Sequence, residues 1–131
     1  MLQTDNRLTK VRDFNLVMKH GRWANGLFCD LKYLELAKNT NYFPKREAPD
    51  KFKNQLKLAI TVGLKVSKSA VKRNRVKRQI REALRLLIRR GHLKSGHYLL
   101  FVARPLILEK NYAEISEEIR LLLFKSCILQ K

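Results

Sequence analysis

Arg73, Asn74 and Arg75, with Lys77, Arg78, Arg81 and Arg85 behind them in VGLKVSKSAVKRNRVKRQIREALR, form the densest group of chemically capable side chains in the sequence. That chemistry is phosphate recognition, because a planar guanidinium presents two parallel N–H donors to two phosphate oxygens. On a helix, residues four apart share a face, so Arg73, Lys77 and Arg81 project together while Arg75, Arg78 and Arg85 broaden the surface. Asn74 is a poor interior helix former, which points to another task such as hydrogen bonding to a ribose or a base edge. A solvated cationic face is the competing reading. Like charges four apart cost a helix a few tenths of a kcal/mol per pair, and across 63–91 only Glu82 offsets eleven basic residues. An anionic partner is the better account of that concentration.

The whole chain agrees. Its 131 residues carry 29 Lys and Arg against 11 Asp and Glu, a net +18, which opposes compaction unless a polyanion screens it. The segment 63–91 holds +10 of this, whereas 109–131 sums to zero. With 45% hydrophobic residues the chain can bury a core, and its length suits one domain spanning 1–131. No paired carboxylates, HExxH, phosphate-cradling glycine loop or nucleophile beside a base can be found, so no catalytic residue is expected. Cys29 and Cys127 stand apart, without Cys or His at ligand spacing, and read as buried thiols. His20, His92 and His97 read as loop or helix-end residues. Residues 1–14 lack an apolar signal core and no stretch approaches a membrane span, which implies a cytoplasmic protein.

Elements must position the basic cluster. Phe14, Val17 and Met18 predict a first helix over 12–20, with Gly21 as a left-handed cap. Alternation predicts strands over 28–36 and 58–66. Between them 37–57, with Pro44, Pro49 and many charges, reads as a long surface insertion. Ser69 can cap a helix whose apolar stripe is Val76, Ile80, Ala83, Leu84, Leu87 and Ile88, ended by Gly91. A continuous apolar strand over 98–103 and an amphipathic helix over 112–128 follow. A helix between two strands, the second wholly apolar, implies a βαβ crossover and an α+β fold: a two-layer α/β sandwich with a mixed four-stranded sheet.

RNR at 73–75 in its helix is similar to the signature of the ribonuclease P protein family, and the likeness extends to DFNLVMKHG (13–21), GLKVSK (63–68) and FVARP (101–105), in the family's order. What the resemblance implies is a small basic subunit that assists a catalytic RNA, with Mg2+, in removing the 5′ leader from precursor tRNA. It implies a left-handed crossover through the basic helix. Binding of the catalytic RNA would fall to Lys68, Lys72, Arg73, Asn74, Arg75, Lys77, Arg78, Arg81 and Arg85. The leader would lie in a cleft formed by Arg12, Phe14, Met18, Leu31, Tyr33 and Lys65. A structural ribosomal protein that binds rRNA is the alternative function, and a membrane-surface helix fits less well because the apolar stripe suits a protein core.

Overall fold

The computed structural model describes residues 7–8, 11–36, 56–126 and 128. In chain order its elements are α1 (Val11–His20), β1 (Arg22–Asn25), β2 (Cys29–Glu35), β3 (Leu56–Thr61), α2 (Ala70–Arg89), β4 (His97–Ala103), a 3-10 turn (Pro105–Glu109) and α3 (Tyr112–Lys125). The strands form one mixed sheet in the order β1-β2-β4-β3, antiparallel at β1/β2 and β2/β4 and parallel at β4/β3. β3, α2 and β4 are therefore the expected βαβ unit, and the α+β class holds.

Because side chains alternate across a strand, the register sorts residues to two faces. Leu31, Leu58, Leu99 and Phe101 point to one face and join Val76, Ile80, Leu84, Ile115, Ile119 and Leu122 in the main core under α2 and α3. Leu34, Tyr98 and Leu100 point to the other and pack with Val17 of α1 in a smaller core. The sheet with α2 and α3 is the sandwich, and α1 crosses β2 and β4 on the reverse side.

Local signals set most of the ends. Ser69 caps α2 by accepting from Lys72 N at 3.4 Å. Gly91, with φ +71, closes it as Gly91 N and His92 N donate to Ile88 O and Leu87 O, a Schellman turn. Asn111 and Glu114 form a capping box for α3. Gly21 differs from expectation. It is not left-handed; a Cβ there would lie 2.4 Å from Val17 O and 3.0 Å from Lys32 Cγ, so close packing excludes a side chain.

Two further differences have physical causes. The alternation in 58–66 outlasts the strand: β4 ends one residue after the Thr61 pairing, and the chain turns over 63–66 with Val66 N donating to Gly63 O. Val62 and Val66 stay buried by tucking beneath α2. The strand β1 was not expected, since four residues (RWAN) between glycines are too few for a period-2 pattern. The insertion at 37–57 lies outside the described residues except for its last two, which open β3, and Cys127 also lies outside them.

Candidate nucleic-acid interface

The helix α2 is about 30 Å long at 1.5 Å per residue. Val76, Ile80, Ala83, Leu84 and Leu87 anchor one side in the core, which fixes the outward direction of the rest. Asn74, Arg75, Arg78 and Arg81 are exposed, as are Lys68 and Lys72 at its entry, while Arg73 and Lys77 are half-buried along one flank. At 100° per residue Arg73 and Arg75 lie on opposite flanks, with Asn74 between them on the outer side. Val71, Asn74, Arg78 and Arg81 border an open groove of about 450 Å³. The first turn contains no acid, so the positive end of the helix dipole adds to the side-chain charge there.

Arg85 stands apart from this group. Its Nε and Nη2 donate to the Glu82 carboxylate at 3.0 and 2.6 Å, which holds the Glu82 pKa below the usual carboxylate value. Its fork is occupied by a neighbour on the same helix, so a phosphate would have to compete for it.

On the reverse face, register builds rows of side chains across the strands. Trp23, Lys32, Leu100 and Ala59 form one row, and Asn25, Asp30, Val102 and Thr61 the next. α1 covers Leu34, Tyr98 and Leu100 but leaves the second row largely open: Asn25 and Thr61 are exposed, Asp30 and Val102 half-buried. Phe14 lies half-buried against this smaller core, and Met18, one turn on, is exposed. The structure thus brings Phe14 and Met18 to the side of the sheet that α1 covers only in part. It does not bring Leu31 and Tyr33 there. Both have the opposite parity on β2: Leu31 is fully buried in the main core and Tyr33 packs beside it. Arg12 is paired with the buried Asp13 carboxylate at 3.2 Å, and Lys65 is exposed in the turn after β3.

Several polar residues that sequence patterns did not single out hold this arrangement. Lys32 is buried on β2, with Nζ donating to Met18 O at the C-terminal turn of α1 and lying 5.1 Å from the Trp23 ring centre. Glu118 is buried too, and accepts from Leu27 N and Phe28 N at 2.5 and 3.0 Å, clamping the β1–β2 turn to α3. Gly26 permits that approach, since a Cβ there would come within 2.7 Å of the Glu118 carboxylate. Asp30 meets Gly26 N at 3.2 Å and Arg104 at 3.5 Å. Only the even spacing of Asp30, Lys32 and Leu34 in FCDLKYLEL could have shown that Lys32 shares the α1 side.

The sequence profile of the family described as Ribonuclease P matches residues 2–127. Among curated relatives, the ribonuclease P protein component of a Synechococcus species is 33% identical over 98% of this chain and 87% of its own length. That of Alkaliphilus metalliredigens is 36% identical over 87% of this chain and 86% of its own. The solved RNase P protein of Staphylococcus aureus superposes with a TM-score of 0.74 at 20% identity, covering 95% of this chain and 98% of that one. The Thermotoga maritima RNase P protein gives 0.66 at 23%, covering 91% and 96%. With its basic helix, mixed sheet and nearly full-length match, the chain belongs to the ribonuclease P protein family, the protein component of an RNA-based endoribonuclease.

Proposed function

We propose that the protein binds the catalytic RNA of ribonuclease P through the outer side of α2, and holds the 5′ leader of precursor tRNA in the cleft between α1 and the sheet. The observation that carries the first part is the exposed set Asn74, Arg78 and Arg81 beside one open groove, with Lys68, Lys72 and Arg75 exposed elsewhere on the same helix and its entry and Arg73 and Lys77 half-buried. Flexible cations on a rigid, core-anchored helix suit a structured phosphate backbone, whose condensed counterions they displace. For the leader, Phe14 supplies a stacking face and Met18 an apolar neighbour. Lys65 offers charge at the end of the sheet where β3 leaves, and Arg12 contributes at the helix start.

The protein's part in the reaction is to lower the repulsion between two RNAs and to orient one of them. Among the described residues no three His, Cys, Asp or Glu side chains come together to hold a metal ion. We assign Mg2+ and bond cleavage to the catalytic RNA, and no catalytic residue to this chain. No described helix is long and apolar enough to cross a membrane; we place the complex in the cytoplasm, where precursor tRNA is made.

A titration of the catalytic RNA at several salt concentrations tests the main claim. With about five phosphate contacts, log affinity should fall against log salt with a slope of about 3 or more. An affinity indifferent to salt would rule out the α2 interface.

A further inference from the structure

Trp23 is the chain's single tryptophan, and it lies on the edge strand β1 with 49% of its surface exposed. Its register partner is Lys32, so both side chains rise from the α1 side of the sheet. Lys32 is only 7% exposed. Burial of an ammonium is costly unless a counter-charge is close, yet among the described residues its polar contacts are Met18 O and the Trp23 ring, with no carboxylate. Asp30, the nearest acid in sequence on that face, is engaged by Arg104 and Gly26 N. A carbonyl and a ring quadrupole supply only partial negative charge, so the ammonium keeps a net positive field at the cleft margin.

The ring is also held in place. The ammonium attracts it, and the ammonium is itself tied to the last turn of α1, one residue from Lys19 and four from Phe14 along the helix. The indole, half exposed on a four-residue edge strand, presents a flat ring face to solvent. Here it rises from the partly covered face of the sheet in an +18 chain, where the complementary ligand is an anionic strand carrying flat bases.

We propose that Trp23 is a base-stacking residue for single-stranded RNA, seating one nucleotide on the β1 margin of the cleft while Lys32 supports the ring and draws the adjacent phosphate. This rests on the leader-binding reading above and extends the site from α1 and the central strands to the sheet edge. Stacking on an aromatic side chain tolerates any base, so the contact adds affinity for a single strand without reading its sequence.

A single tryptophan makes the test direct. A short oligoadenylate would be titrated into the full chain while the intrinsic emission is followed, with the anisotropy of a fluorescein-labelled copy measured in parallel. Saturable quenching that tracks the anisotropy is expected, and inorganic polyphosphate, which has charge but no bases, should leave the emission nearly unchanged. Trp23→Ala should weaken oligonucleotide binding by about five- to a hundredfold, and Trp23→Phe should recover most of the loss. Thermal melts of both variants serve to show that they fold. Binding by anisotropy without quenching, equal quenching by polyphosphate, or unaltered affinity in a folded Trp23→Ala chain would each overturn the role of Trp23 and leave the leader cleft standing. Failure of the oligonucleotide to bind at all would overturn the leader reading itself, and this inference with it.

Discussion

Phe14 illustrates how one side chain can serve both packing and recognition. It is half-buried against the smaller core rather than enclosed by it, so Phe14→Ala should destabilise by less than the ~3 kcal/mol that begins the range for a fully buried aromatic. The same substitution removes a stacking face, and preference for precursor over mature tRNA should fall by roughly 1 to 2 kcal/mol. Paired binding curves for the two substrates, together with a urea melt, separate these effects; equal losses for both substrates would make Phe14 a core residue alone. Cys29 behaves differently. Burial, aided by the nearby carboxylates of Glu118 and Asp30, pushes its thiol up to about 12. A raised pKa means that the neutral thiol's contribution to stability is complete below 9.0, the ordinary value, and declines as pH rises towards 12. In a Cys127→Ser background, Cys29 should react with a thiol reagent at pH 8 only as fast as the chain unfolds. Rapid labelling of the folded protein would show that the site is open.

Whole elements would carry the proposed recognition, and they differ in how plainly the sequence announces them. The limits of α2 were legible because Ser69 and Gly91 act within their own turns and the apolar stripe from Val76 to Ile88 has a single period. By contrast β1 was invisible: its partners lie across the sheet, and RWAN has no alternation to detect. The side of the sheet that α1 packs on was legible for α1 and illegible for β2, where an imperfect pattern (FCDLKYLEL) gave no way to decide parity. Tyr33 draws attention as an aromatic, whereas Lys32 is the residue that shares the face of Phe14. The interior of α2 also holds a restraint that charge counting passes over, the Glu82–Arg85 pair. Glu82→Gln should free the Arg85 fork and steepen the salt slope for catalytic-RNA binding by up to about 1, while Arg73→Ala and Arg75→Ala should each make it shallower by about 1. Lys125→Ala, on α3 beside Asn25 O, should leave it unchanged. A steeper slope in Arg75→Ala, or none of these changes, would place the RNA elsewhere.

At the scale of the molecule, the fold separates two surfaces that the chain's charge alone would merge. The apolar sides of α2 and α3 close over one face of the sheet and turn the arginines outward, while α1 crosses only part of the other face and leaves a row from Asn25 to Thr61 uncovered. In the proposed arrangement, a polyanion on α2 would leave the opposite side of the sheet free for a single strand. The net +18 makes the protein a counter-ion to its partners, and its effect on catalysis should be greatest where other cations are scarce. The measurement that tests this most directly is cleavage of precursor tRNA by a ribonuclease P catalytic RNA at low magnesium, with and without the protein. Leader removal should depend on both macromolecules at low magnesium, approach the RNA-alone rate as magnesium rises, and be absent with protein alone. Cleavage by RNA-free protein, or no stimulation of the RNA at any magnesium concentration, would contradict this.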